Sequence, residues 1–164
     1  MINSKIKTLK QLIPIVETLK FNNKKIITTN GVFDILHLGH VKYLEEARKM
    51  GDVLIVGVNT DKSVKQNKGD KRPINDEKSR LGVLAALESV DYVFLFDEKD
   101  PRSWLNKIKP NIHVKAGDYK LNQIIEKSIV EKNSGKVVIS KVEKNYSTTK
   151  IINKILDIYK NQRH

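Results

Sequence analysis

His37 and His40 are the residues whose type and spacing point first to chemistry. They lie in Thr29-Asn30-Gly31-Val32-Phe33-Asp34-Ile35-Leu36-His37-Leu38-Gly39-His40, a stretch that leaves an apolar run and enters helical spacing. Three residues apart, two imidazoles project on one side of a helical turn. Beside the free N–H groups of a helix start, they can donate hydrogen bonds to phosphate oxygens as charge builds there in an in-line displacement. Gly31 lets the backbone turn at a strand end, and Gly39 removes a side chain where a polyphosphate approaches. Either histidine alone is equally a helix cap; the pair, with Gly39 and the preceding Gly31-Val32-Phe33-Asp34, points to a phosphate site. Asp34 has two readings: it reaches a metal through water, or it fixes the loop by accepting backbone N–H bonds.

Three more segments carry polar chemistry. Lys65 to Asn75 is dense in cations and punctuated by Gly69 and Pro73. A lysine on a glycine hinge, Lys68-Gly69, can close on charge when an anion arrives, and the plain alternative is a solvated loop. Val114-Lys115-Ala116-Gly117-Asp118-Tyr119 ends another apolar run. Tyr146-Ser147-Thr148-Thr149-Lys150-Ile151 opens a helix with hydroxyls, so Ser147 or Thr148 either caps that helix or binds phosphate at it. His113 and His164 have no metal-ligand spacing with other His or acidic residues, so no zinc site is expected. Trp104 reads as core packing.

These residues need elements to position them. Ile26 to Thr29, Val53 to Val58, Tyr92 to Phe96, Ile112 to Lys115 and Val137 to Ser140 read as five buried strands. Helical spacing links Val41, Leu44, Ala47 and Arg48, then Leu81, Leu84 and Leu87, then Trp104 and Ile108, then Ile124, Ile125 and Ile129. Thr148 to Tyr159 reads as a closing helix. Strand and helix alternating in this way predict an α/β fold: a single Rossmann-like, doubly wound domain, its five-stranded parallel sheet flanked by helices. Such sheets bind ligands outside the carboxyl ends of their strands, where the strand order reverses.

Residues 1–24 read as a helical extension packed on a domain of residues 25–164. Thr8 with Gln11 predicts a capping box. Pro14 then predicts either a helix starting near that proline or two short turns, because a proline in a helix interior costs ~3 kcal/mol.

A chain of 164 residues can bury its own core, and 39% hydrophobic with 30% charged residues excludes a disordered polymer. No apolar run approaches the ~20 residues that a membrane-spanning helix needs, and the first 25 residues mix Lys and Asn among their apolar positions. Neither a signal peptide nor a membrane partner is expected. The absence of cysteine removes thiolate metal sites and cysteine nucleophiles and fits a cytoplasmic location. A net charge of +12 favours a polyanionic partner or reflects a compositional habit. Nucleic acid is not expected, because the few aromatics sit in strands and on helix faces rather than as stacking platforms.

The T-N-G-V-F-D-I-L-H-x-G-H stretch resembles the signature of the cytidylyltransferase-like nucleotidyltransferases, and the likeness runs from about Lys24 to Ile155. The resemblance implies that Asn30, Gly31, Val32, Phe33 and Gly39 bind a nucleoside triphosphate with His37 and His40. A phosphorylated alcohol or sugar then attacks the α-phosphorus and pyrophosphate leaves. Lys68 matches the mobile lysine of the KG and RPxN segment in that family, which makes it catalytic with the two histidines. Arg72 and Asp34 are implied as substrate or phosphate contacts. Arg80 matches an arginine just inside the next helix, facing either the nucleotide or neighbouring acids; Lys78 stands where relatives commonly have Glu. Ser147, Thr148 and Thr149 match the STT motif that holds the β- and γ-phosphates. Lys115 to Tyr119 is similar to the KGGDY segment of the heptose 1-phosphate adenylyltransferase branch, with Ala116 in place of a glycine. That likeness implies Lys115, Gly117 and Asp118 as nucleotide contacts. It also implies AMP transfer from ATP, carrying Mg²⁺, to D-glycero-β-D-manno-heptose 1-phosphate, giving ADP-heptose for the lipopolysaccharide inner core. Direct metal ligation by the protein is not implied, and a homodimer is. A cytidylyltransferase of glycerol 3-phosphate is the alternative inside the family, and a non-catalytic nucleotide or nucleic-acid binding module the one outside it.

Overall fold

The computed structural model describes residues 2–98, 100–117, 120, 123–140 and 146–160. In chain order the elements are α1 (Ile2–Lys5), α2 (Leu9–Phe21), β1 (Ile26–Gly31), α3 (Leu38–Lys49), β2 (Val53–Asn59), α4 (Asp61–Lys68), α5 (Glu77–Ala85), β3 (Tyr92–Phe96), α6 (Arg102–Ile108), β4 (Ile112–Ala116), α7 (Lys127–Lys132), β5 (Lys136–Ser140) and α8 (Thr148–Lys160). The five strands form one parallel sheet in the order β3-β2-β1-β4-β5. The chain starts at the centre, runs out to β3, then crosses back to the other side of β1. The strand order therefore reverses between β1 and β4, and a crevice opens there at their carboxyl ends.

Side chains alternate across the sheet, and each face has its own core. Ile27, Leu54, Val56, Val58, Val93 and Val114 pack against Tyr43, Leu44 and Ala47 of α3 and Leu81, Leu84 and Ala85 of α5. Ile26, Ile55, Phe94 and Phe96 pack against Leu12 and Val16 of α2, Trp104, Leu105 and Ile108 of α6, and Val130 of α7. All seven residues of β2 are buried, which is why its sequence reads as an unbroken apolar run. At roughly 1.5–3 kcal/mol for each fully buried large aliphatic or aromatic side chain, this two-sided burial drives the fold.

Four expectations need correction. α2 is one continuous helix with Pro14 inside it, not a helix starting there or two short turns. Its capping box is formed, with Thr8 N–H donating to Gln11 Oε1 at 2.8 Å and Gln11 N–H to Thr8 Oγ1 at 3.2 Å. Leu12 and Val16, on either side of the proline, are both buried in the core, which outweighs the one hydrogen bond Pro14 cannot donate. The start of the Lys65 to Asn75 segment is helical, because α4 runs to Lys68. Ile124 and Ile125 precede α7 rather than belonging to it, and Leu87 lies beyond the end of α5.

Ahead of α2, Lys7 N–H donates to Val93 O at 2.9 Å, and Ile6 forms a parallel bridge with Val93. The leading segment thus covers part of the outer edge of β3, an edge otherwise open to unwanted pairing.

Candidate active site

A cleft of about 360 Å³ opens at the carboxyl end of the sheet. Val32, Phe33, Asp34, His37, Gly39, His40 and Tyr43 line it from the β1–α3 region, Lys68 and Arg72 from the segment after β2, and Ala116 from β4. Tyr146, Ser147, Thr148 and Thr149 close it from the start of α8.

His37 is the N-cap of α3, its backbone extended at φ −143°, and its Nδ1 accepts from His40 N–H at 3.4 Å. With Nδ1 accepting, the neutral ring carries its proton on Nε2, as a donor. Capping and phosphate donation are therefore compatible in this residue. The two imidazoles stack, their centroids 3.8 Å apart and their planes at 20°. Burial first, and then the neighbouring His37, push the His40 imidazole down to about 4; burial also lowers His37. Both rings are neutral at pH 7. His40 Nδ1 is buried with no hydrogen-bond partner among the described residues.

Gly39 is what allows this packing. A Cβ there would lie 3.1 Å from His37 Nδ1 and 3.1 Å from Tyr146 Cβ. Phe33 holds φ at +49°, unusual for a bulky residue, and sets its ring over Gly31 and 5.3 Å from the His40 ring.

Asp34 takes the loop-fixing reading. Its carboxylate accepts from Arg72 Nε at 2.6 Å and from the N–H groups of Ile74 and Asn75, each at 2.8 Å, while Asn75 Nδ2 donates to Asp34 O. Burial alone raises a carboxyl, but these donors outweigh it and hold Asp34 below the usual carboxylate range. Arg72, at the cleft wall, is thus already ion-paired.

Arg80 is 2% exposed and does not line the cleft. Its guanidinium donates to Val32 O at 2.6 Å, Asn59 O at 2.7 Å, Asn75 O at 3.1 Å and Asp61 Oδ1 at 2.8 Å. One side chain thereby ties the loop after β1 to the loops after β2, and of its two expected directions it takes the one toward protein acceptors. The acid it pairs with is Asp61, whose N–H is held by Glu77.

Lys68 ends α4 at the cleft rim, and Gly69 follows at φ +85°, a conformation that favours glycine. Ser147 Oγ accepts from Lys150 N–H at 3.1 Å, capping α8, and Thr148 Oγ1 donates to Ile35 O at 3.3 Å. That last bond joins α8 to the histidine loop.

Not every residue implied by the resemblance reaches the cleft. Asn30 and Gly31 lie at the end of β1 behind its wall, while Lys115 and Gly117 lie at the end of β4, where Gly117 N–H points to Ser140 O at 3.5 Å. Asp118 and Tyr119 fall outside the described residues. Tyr43, Ala116 and Tyr146 line the cleft without having been singled out. Tyr43 was legible three residues after His40 on the same helix face, and Tyr146 as the neighbour of the hydroxyl run. The helix α4 was legible too, from Thr60 as N-cap, Asp61 in the first turn and Gly69 at the end.

Donors gathered around a polyphosphate-sized cleft at the switch point of a Rossmann-like sheet are the equipment of nucleotidyl transfer, and the chain is a nucleotidyltransferase enzyme of that class. Comparison with known proteins is consistent with this. Residues 28–154 match the family described as cytidylyltransferase-like, and the chain belongs to that family. The bifunctional protein HldE of Geobacter metallireducens is 47% identical over 157 residues, which are 96% of this chain and 32% of that protein. HldE of Histophilus somni is 52% identical over 145 residues, 88% of this chain and 30% of that protein. The chain thus spans about a third of the length of these relatives. Among solved structures, a lipopolysaccharide core biosynthesis protein from Thermoplasma volcanium aligns with a TM-score of 0.61 and 38% identity, covering 73% of this chain and 97% of that one. A pantoate-β-alanine ligase from Francisella tularensis, 21% identical over 93% of this chain and 77% of that chain with a TM-score of 0.60, shares the fold.

Proposed function

We propose that the chain transfers AMP from ATP to D-glycero-β-D-manno-heptose 1-phosphate, giving ADP-heptose and pyrophosphate for the lipopolysaccharide inner core. The observation that carries the reading is the stacked His37–His40 pair facing Ser147, Thr148 and Thr149 across one cleft. The substrate is supported by the solved relative named for lipopolysaccharide core biosynthesis and by the HldE relatives.

In this reaction an oxygen of the sugar phosphate forms a bond to the α-phosphorus of ATP, and the bond to the bridging oxygen of pyrophosphate breaks. The attacking phosphate is already anionic at neutral pH, so the site needs no dedicated base. His37 Nε2 and the His40 ring donate to the α- and β-phosphate oxygens as charge grows there. Lys68 closes over the phosphates on its Gly69 hinge, and the start of α8 holds the β- and γ-phosphates. Val32, Phe33 and Gly39 line the cleft as the triphosphate loop; Asn30, Gly31, Lys115, Gly117 and Asp118 stay nucleotide contacts on the resemblance alone.

ATP brings Mg²⁺, which neutralises charge on the phosphates. Asp34 already serves Arg72, Ile74 and Asn75, and among the described residues no cluster of three or more His, Asp or Glu is placed to hold a metal. No described helix is long and apolar enough to cross a membrane. The location we propose is cytoplasmic. The exposed apolar residues Ile155, Leu156, Ile158 and Tyr159 of α8 support the homodimer implied by the family.

The test is pyrophosphate release with Mg²⁺ and each pairing of ATP or CTP with heptose 1-phosphate or glycerol 3-phosphate. ATP with the heptose is expected to be fastest. Faster turnover of CTP with glycerol 3-phosphate makes the chain a phosphoalcohol cytidylyltransferase, and no release with any pairing removes the catalytic reading.

A further inference from the structure

On the face of the sheet away from α3, the ends of β1 and β4 carry a second polar group. Thr28 lies beside His113 in register, so Asn30 falls beside Lys115 two residues on. Lys115 Nζ is 2.6 Å from Glu126 Oε1 and 3.5 Å from Asn30 Oδ1. The Glu126 side chain is 5% exposed, and the exposed Arg102 is a weaker charged neighbour. Its backbone is anchored just before α7, where its carbonyl accepts from Val130 N–H at 3.1 Å.

A lysine ammonium is a point charge on a flexible four-carbon stem, so a fixed position needs a fixed partner. Glu126 is that partner: nearly buried, just before α7, and paired to a lysine at the end of β4, where the neighbouring Ala116 lines the cleft on the other face of the strand. The site of the ammonium also adjoins Asn30, which leads directly into the triphosphate loop. A buried carboxylate without its cation is costly, which holds the two together.

We propose that Glu126 is a positioning residue, holding the Lys115 ammonium beside Asn30 at the β1–β4 crevice, where that ammonium meets a phosphate of the substrate bound in the neighbouring cleft. The proposal rests on the nucleotidyl-transfer reading of the cleft.

The experiment combines a double-mutant cycle with a measurement that needs no activity. In the full chain, Glu126→Gln is expected to raise KM for ATP or for heptose 1-phosphate about tenfold while kcat changes less than threefold, and Glu126→Asp is expected to restore part of the loss. On a Lys115→Gln background, Glu126→Gln is expected to add nothing, because its effect passes through the lysine. Independently, the rate at which an amine-acetylating reagent modifies Lys115, mapped by mass spectrometry, is expected to rise severalfold in Glu126→Gln at unchanged thermal midpoint. An undiminished KM effect on the Lys115→Gln background overturns the proposal. So do unchanged KM values for both substrates in Glu126→Gln, or an unchanged acetylation rate. If wild type releases no pyrophosphate, the functional reading fails and the acetylation rates still report whether Glu126 holds Lys115.

Discussion

The ring of His40 lies stacked on that of His37 at 3.8 Å, with its Nδ1 buried and without a hydrogen-bond partner among the described residues. Two imidazoles so close resist carrying two charges, and both are neutral at pH 7. A triphosphate bound there is expected to raise both values, because its negative charge favours the protonated rings.

Replacing His40 with alanine is expected to lower kcat by ~10²-fold or more, since it removes a donor to the charge that develops in the transition state. Far-UV circular dichroism and the thermal midpoint should match wild type. A loss confined to KM would count against the role.

Binding should also be visible as proton uptake. Histidine NMR titrations are expected to show His40 near 4 in the free protein and moved upward with ATP bound. An unmoved His40 resonance at saturating ATP would mean that the phosphates do not face the ring.

Gly39→Ala tests the close approach at the cleft. The added methyl meets His37 Nδ1 and Tyr146 Cβ at 3.1 Å, so the ring pair or α8 must shift. A position on α3 tolerates alanine well, and stability is expected to change by under ~1 kcal/mol. Activity is expected to fall at least tenfold, because displaced donors lose alignment. Urea melts and pyrophosphate release measure the two effects separately.

For Asp34→Asn the opposite pattern is expected. Arg72 loses its charged acceptor at 2.6 Å, and stability should drop by about 1.5–3 kcal/mol. The Mg²⁺ concentration that supports half-maximal activity should stay as in wild type, which a metal ligand would not allow. The Asp34 carboxyl lies below its unfolded value, so its contribution is present above the usual carboxylate range and is lost as the pH falls through the folded value.

His113 predicts acid sensitivity unrelated to catalysis. Fully buried, with Nδ1 on Thr28 Oγ1 at 2.9 Å, it is pushed down to about 3 by burial and then by Lys115. The unfolded chain takes up the proton at ~6.5, so folding stability falls by up to ~1.4 kcal/mol per pH unit below that value and stops falling near 3. Denaturant melts at pH 7 and pH 5 should show this slope, and His113→Asn should reduce it.

Much of the molecule is legible from local pattern. The central strand β2 reads as an apolar run because a parallel strand covered on both faces needs an apolar residue at nearly every position. His37-Leu38-Gly39-His40 and the hydroxyls from Ser147 to Thr149 are readable as two helix starts rich in donors, and the fold brings both to one cleft. What the letters alone left open was decided by contacts between distant segments. Pro14 is tolerated because Leu12 and Val16 are buried beyond any local preference of the chain. Asp34 became a loop anchor because Arg72 and Asn75, about 40 residues away, fold back onto it. Arg80 turned inward because the ends of β1 and β2 present carbonyls that only adjacent strands could bring together. Glu126 carries no motif at all, and only the pairing of β1 with β4 sets its lysine beside Asn30. The chain therefore encodes its strands, caps and donors locally, while the assignment of each charged side chain to protein or to ligand waits on tertiary contacts, since a charge is claimed by whichever partner the fold brings near.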